Sequence, residues 1–96
     1  MTFEDLYNVI LEQKRTRPKN SYVASLMEKG EDRILQKVGE EAVEVIIAAK
    51  GQGKQRIVEE TTDLIFHLFV MLAKYDISLE DIVSEIEMRR AKKKGV

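Results

Sequence analysis

The sequence predicts an all-α protein of about five helices. Its 96 residues contain one proline and five glycines, apolar residues recur at helical spacing, and no segment shows the strict alternation of a half-buried strand. The β-branched run at 43–47 is the one candidate strand, but it lies in a long proline-free segment, which favours helix. We expect a single domain over residues 1–96, because a chain of this length has room for one modest core.

The first two predicted helices are short and have clear boundary signals. Thr2 can cap the first helix, and Pro18 ends it by disfavouring helix at Arg17. The apolar face of this helix consists of Phe3, Leu6, Tyr7, Ile10 and Leu11. Ser21 can cap the second helix, which Gly30 ends.

Two long helices are predicted at 31–50 and 56–74, joined by the sequence GQGK at 51–54. A short connection makes them antiparallel neighbours. Ser78 and Asp81 form a capping-box-like start for a fifth, amphipathic helix. Both long helices carry more apolar surface than one small chain can cover. We therefore expect a homodimer in which they form half of a four-helix-bundle-like core.

Bulk properties narrow the class of protein. A formal net charge of −1 provides no overall attraction to nucleic acid or to a membrane surface, and there is no cysteine for a disulfide or thiolate metal site. The N-terminus lacks the pattern of a signal peptide. The longest apolar run, Leu64 to Ala73, contains His67 and is too short to cross a bilayer. We expect a cytoplasmic protein without a nucleic-acid or membrane partner.

The two long helices carry acidic residues where a solvent-facing strip is not expected. On a helical wheel, Glu40, Glu41 and Glu44 lie between two apolar patches. On the following helix, Glu60 and Asp63 share a narrow stripe with His67, at positions i, i+3 and i+7. An antiparallel hairpin can place the two acidic stripes against each other. Each motif taken separately is more often a solvated helix face, and metal binding becomes an equally good explanation when the two occur together.

Electrostatic repulsion is the reason for predicting a metal. Two carboxylates about 5 Å apart repel by roughly 3 kcal/mol at an effective dielectric near 20, and several of them would exceed the usual stability of about 5–15 kcal/mol. A hard divalent cation such as Mg²⁺ can neutralise them. The predicted ligands are Glu40, Glu41, Glu44, Glu60 and Asp63. His67 is interpreted as a satisfied core histidine or a partner behind Asp63.

Two long stretches carry a family resemblance. SYVASLMEKGEDRILQKVGEEAVEVIIAAK (21–50) and EETTDLIFHLFVML (59–72) resemble the phosphoribosyl-ATP pyrophosphohydrolase family, which performs the second step of histidine biosynthesis. The EExxE and ExxD motifs alone indicate only the wider all-α nucleotide pyrophosphohydrolase superfamily. The resemblance implies Mg²⁺-dependent hydrolysis of phosphoribosyl-ATP to phosphoribosyl-AMP and pyrophosphate. We expect the stand-alone form, since a fused cyclohydrolase domain would bring zinc-binding cysteines.

The resemblance also implies residue roles. The five carboxylates named above correspond to the family's metal-binding motif, with Glu41 and Glu44 as candidate catalytic residues and Glu41 as the candidate general base. Lys37 is a candidate phosphate contact. Ser21, Tyr22 and the basic loop containing Arg17 are candidates for the phosphoribosyl end. The basic clusters at 15–19 and 89–94 are usually solvated surface, but near a polyphosphate Arg17 and Arg89 are candidate clamps.

Two alternatives remain open at this point. The first is a house-cleaning pyrophosphohydrolase of the same superfamily, which acts on non-standard nucleoside triphosphates and should lack the SYVASL segment. The second is a non-catalytic helical dimer whose acidic stripes merely pair with basic residues.

Overall fold

The computed structural model describes residues 1–92, which form five α-helices and no strand. The helices are α1 Phe3–Thr16, α2 Tyr22–Lys29, α3 Glu31–Gly51, α4 Lys54–Lys74 and α5 Leu79–Ala91. The all-α prediction is confirmed. None of these helices has the length and apolar character needed to cross a membrane. The end of the predicted basic tail, with Lys93 and Lys94, lies outside the described residues.

Side-chain caps fix the starts of three helices, as the sequence predicts. Thr2 Oγ1 accepts a hydrogen bond from the Asp5 amide at 3.0 Å, and Asp5 accepts one from the Thr2 amide at 2.9 Å. Ser78 and Asp81 exchange the same pair of bonds, both at 3.1 Å. Ser21 caps α2. These bonds satisfy backbone amides that the first helical turn leaves without partners.

Two glycines with positive φ angles allow the chain to turn between consecutive helices. Gly30 has φ 95° and separates α2 from α3, and Gly53 has φ 88° just before α4. Residues with a Cβ rarely adopt these angles. Since α3 continues through Gly51 and α4 begins at Lys54, the connection predicted over 51–54 is shorter, consisting of Gln52 and Gly53.

The core lies at one end of the α3–α4 pair. Its buried members come from four helices: Tyr7, Ile10, Val23, Leu26, Met27, Ile34, Val70 and Ala73. Ile34 lies near the start of α3 and Val70 near the end of α4, so these antiparallel helices meet α1 and α2 at the end opposite the Gln52–Gly53 turn. The half nearer the turn is not covered by α1 or α2.

Every residue of the apolar run Leu64 to Ala73 is at least partly buried, but other apolar parts of α3 and α4 are left uncovered by the single chain. Val58 of α4 is 58% exposed, and Ile46 of the neighbouring α3 is 68% exposed. No residue of α5 is buried, and its Ile82 and Val83 are exposed. The reason is geometric. The described part of the chain places no further element against these faces.

Polar contacts connect α1 to the end of α4. The Lys14 ammonium donates to the Ala73 carbonyl at 2.7 Å and to Asp76 Oδ1 at 2.8 Å. The Tyr7 hydroxyl donates to the Ile77 carbonyl. The hydrogen bond from Lys14 lowers the pKa of the Asp76 carboxyl, while burial raises the pKa of Tyr7.

We predict that Asp76→Asn lowers the melting temperature slightly at pH 7. The pKa of Asp76 is depressed below its ordinary value of 3.8, so the Lys14 contact stabilises the folded state above that value and is lost as the pH falls through the folded-state pKa. Asparagine is the suitable replacement because it tolerates the φ of 57° at this position. Melting followed by circular dichroism at pH 7 and at about pH 2 tests this. A difference that persists in acid would contradict it.

Candidate active site

A cleft of about 840 Å³ opens between α3 and α4. Its lining residues are Lys37, Gly39, Glu40, Glu41, Val43, Glu44, Glu60 and Asp63. All five carboxylates predicted from the sequence therefore face one space. The antiparallel register explains this, because Glu41 and Asp63 lie equally far from Gln52 along the chain, as do Glu44 and Glu60.

Three of these carboxylates converge. Glu41, Glu60 and Asp63 each offer an oxygen, and these oxygens all lie within 4.8 Å of one another. Glu60 is only 7% exposed, Glu41 is half-buried and Asp63 is exposed. The group, called the carboxylate trio below, thus extends from the helix interface to solvent.

The other two predicted ligands lie on the rim of the cleft. Glu40 accepts a hydrogen bond from Gln36 Nε2 at 2.9 Å and is 3.4 Å from Lys37 Nζ. Glu44 is exposed and lines the cleft outside the trio. The sequence pattern grouped five carboxylates, and the structure separates them into three that converge and two that flank.

Each long helix supplies a cation beside its own carboxylates. Lys37 Nζ lies 3.1 Å from Glu41, and Arg56 forms ion pairs with Glu59 and Glu60. The hydrogen bond to Glu41 raises the pKa of Lys37, which keeps it charged. Arg56 lowers the pKa of Glu59. Sequence reasoning missed Arg56, although its i, i+4 spacing to Glu60 was a usable signal.

His67 is buried, with 6% exposure, and both its ring nitrogens have partners. Nδ1 lies 2.7 Å from the Asp63 carbonyl oxygen, and Nε2 lies 2.8 Å from the Tyr22 hydroxyl. Its contact with Asp63 is therefore to the backbone. The Tyr22 ring also stacks on Phe66, with centroids 6.1 Å apart.

The remaining predicted substrate contacts lie away from the cleft lining. The Ser21 hydroxyl accepts from the Ala24 amide at 3.1 Å and donates to Gln13 Oε1 at 2.8 Å. Ser21 and Arg17 line a separate depression of about 290 Å³. Arg89 lies on α5, with Nε 3.2 Å from Glu85. The structure does not bring these three residues to the trio.

The carboxylate trio fits a hard divalent cation. Mg²⁺ binds oxygen ligands at about 2.0–2.1 Å, so opposite ligands in its octahedron lie about 4 Å apart. The spacing of up to 4.8 Å in the trio is close to this value. The fold and the cleft define an all-helical protein with a carboxylate site suited to a divalent cation.

Comparison with known proteins identifies the family. A family model for phosphoribosyl-ATP pyrophosphohydrolase matches residues 3–90. A phosphoribosyl-ATP pyrophosphatase of Pelotomaculum thermopropionicum is 51% identical over 93% of this chain and 91% of its own. One from Geobacter sulfurreducens is 54% identical, over 88% of this chain and 78% of its own. The chain belongs to the phosphoribosyl-ATP pyrophosphohydrolase family.

We predict that millimolar Mg²⁺ raises the melting temperature and that Asp63→Asn removes most of this response. A cation bound only by the folded state stabilises it by about 2.7 kcal/mol at a hundred times its dissociation constant. Without Mg²⁺ the variant should melt no lower than the wild type, because one charge of the repelling trio is gone.

Glu12→Gln is the matched control, since Glu12 is an exposed carboxylate paired with Arg15 on α1. This variant should keep the full response to Mg²⁺, and a chelator should reverse the response. An equal Mg²⁺ response in Asp63→Asn would count against the trio as the metal site.

Proposed function

We propose that this protein hydrolyses 1-(5-phosphoribosyl)-ATP to 1-(5-phosphoribosyl)-AMP and pyrophosphate, the second step of histidine biosynthesis. The observation that carries the proposal is the carboxylate trio, in the cleft between α3 and α4 of a chain that belongs to this family. Relatives that share about half of its residues over most of their length are named for this activity. A cytoplasmic location is part of the same proposal.

Glu41, Glu60 and Asp63 are the proposed principal ligands of Mg²⁺, and Glu40 on the rim of the same cleft is proposed as a further ligand. When bound, the cation would neutralise phosphate charge and make a coordinated water more acidic. The three ligands extend from helices and not from loops, which keeps their spacing defined. Half-burial of the trio strengthens its electrostatic interactions relative to bulk water.

The other candidate residues are proposed to contact different parts of the substrate. Lys37 stays protonated and lines the cleft, so it is suited to hold a phosphate oxygen of the triphosphate. Glu44 lines the cleft outside the trio, which leaves its carboxylate better placed than Glu41 to accept the proton of the attacking water. Tyr22, Ser21 and Arg17 are assigned to the phosphoribosyl end, and Arg89 to a more distant phosphate contact.

We predict that Glu44→Gln and Asp63→Asn each lower kcat for phosphoribosyl-ATP by at least about 100-fold, because general-base and metal contributions are each of this order. Release of pyrophosphate in the presence of Mg²⁺ is the measurement. Glu12→Gln should retain wild-type activity.

Deoxynucleoside triphosphates provide the comparison substrates. Hydrolysis of these in preference to phosphoribosyl-ATP would indicate a house-cleaning enzyme instead. If both variants were as active as the wild type, the cleft would have no part in the reaction.

A homodimer is the second part of the proposal. The large apolar side chains that the single chain exposes on α3, α4 and α5 are Leu35, Val43, Ile46, Ile47, Val58, Ile82, Val83, Ile86 and Met88. Monomeric proteins rarely expose so many apolar side chains on neighbouring elements. A second copy would cover the half of the α3–α4 pair that α1 and α2 do not reach, and this would complete the bundle.

We predict a solution mass of twice 11.1 kDa, measured by sedimentation equilibrium. Ile46→Lys should shift the protein to monomer and lower its melting temperature, since it buries an unpaired charge in the interface. Val9→Lys is the control, because Val9 is an exposed apolar residue on α1, outside the proposed interface. A wild-type monomer at micromolar concentration would contradict the proposal.

A further inference from the structure

A hydrogen-bond chain connects α2 to α4 beside the carboxylate trio. It runs from the Tyr22 hydroxyl to His67 Nε2 at 2.8 Å, and from His67 Nδ1 to the Asp63 carbonyl oxygen at 2.7 Å. Asp63 also supplies one carboxylate of the trio. The phenol of an α2 residue is thereby tied, through one buried ring, to a residue of the proposed metal site.

The partners of His67 determine which group donates in each of its two hydrogen bonds. A carbonyl oxygen can only accept, so Nδ1 must carry the proton that it donates to Asp63. In the neutral imidazole Nε2 is then an acceptor, and the Tyr22 hydroxyl must donate to it. The single hydroxyl hydrogen of Tyr22 is therefore committed to His67. Its oxygen keeps lone pairs that can accept a hydrogen bond.

Tyr22 lies outside the lining of the cleft but is linked to it through His67 and Asp63. Its side chain is 47% exposed although its hydroxyl contacts a buried ring. Its phenol is close enough to Lys37 to contribute to the raised pKa of that residue, and Lys37 lines the cleft. His67 follows Asp63 by one helical turn, so the Tyr22 oxygen is connected to the trio through one imidazole ring and the Asp63 backbone.

We propose that the Tyr22 oxygen accepts a hydrogen bond from a sugar hydroxyl of the substrate, and that His67 is a positioning residue that fixes Tyr22 in this accepting role. The inference rests on the proposed function. Phosphate oxygens are acceptors, so a Tyr22 whose hydrogen is held by His67 has nothing to donate to them. Tyr22 would recognise the neutral, hydroxyl-bearing part of the nucleotide. Lys37 and a cation held by the trio would neutralise the charge of its phosphates.

The test compares two ligands by isothermal titration calorimetry in the presence of Mg²⁺. Phosphoribosyl-AMP carries sugar hydroxyls, and pyrophosphate carries none. Tyr22→Phe keeps the ring and loses the oxygen, so it should weaken phosphoribosyl-AMP binding by about three- to tenfold, the range of one hydrogen bond. Pyrophosphate binding should not change. Tyr75→Phe is the matched control, because Tyr75 also holds a side-chain hydrogen bond, to Glu31 at 2.6 Å, outside the cleft lining.

Variants of His67 separate positioning from general stability. His67→Gln keeps an acceptor for the Tyr22 hydroxyl and should retain most of the phosphoribosyl-AMP affinity. His67→Leu removes the acceptor and should lose affinity for phosphoribosyl-AMP but not for pyrophosphate. In the Tyr22→Phe background, His67→Leu should add little further loss, since both changes break one chain.

Several results would overturn this inference. They are unchanged phosphoribosyl-AMP binding in Tyr22→Phe, parallel losses for both ligands, and a wild type that binds pyrophosphate but not phosphoribosyl-AMP. Failure of the proposed function would show differently, as a wild-type protein that releases no pyrophosphate from phosphoribosyl-ATP. If the wild type releases pyrophosphate and Tyr22→Phe binds phosphoribosyl-AMP as tightly as the wild type, the inference is wrong and the proposed function still holds.

Discussion

Repulsion among Glu41, Glu60 and Asp63 is the constraint on which the site depends. Their oxygens lie within 4.8 Å of one another, and a pair of carboxylates at about 5 Å repels by roughly 3 kcal/mol at an effective dielectric near 20. The chain supplies two counter-charges, Lys37 on α3 and Arg56 on α4, each one turn before its carboxylate partner. Because the helices are antiparallel, Lys37 lies on the side of the trio away from the Gln52–Gly53 turn and Arg56 on the side nearer to it.

The sequence predicted the parts of this structure that depend on local signals. Thr2, Ser21 and Ser78 start helices as expected, because a cap needs only its own backbone. Helical spacing and a short connection were also enough to predict that Glu41 and Asp63 lie close together. The link from Tyr22 to His67 was not predicted, since it depends on where α2 docks, and periodicity says nothing about docking.

The spacing of apolar residues predicts that a side chain is buried, but not whether its own chain or a partner chain buries it. This explains why α4 is unevenly buried within a single chain, where Val58 stays exposed while Val70 is fully buried. The two residues look alike in the sequence. They differ because α1 reaches only the end of α4 that lies away from the turn, and the same reasoning applies to Ile82 on α5.

The proposed metal site and the proposed sugar contact lie on different helices. The carboxylate trio stands on α3 and α4, the longest helices, which pack against each other along their length and hold charged groups at fixed spacing. Tyr22 stands at the first turn of α2, an eight-residue helix bounded by a cap and by Gly30. Such a short helix relies on tertiary contacts for its position. The bond from Tyr22 to His67 is one of these contacts, so the proposed sugar contact and the placement of α2 depend on the same buried ring.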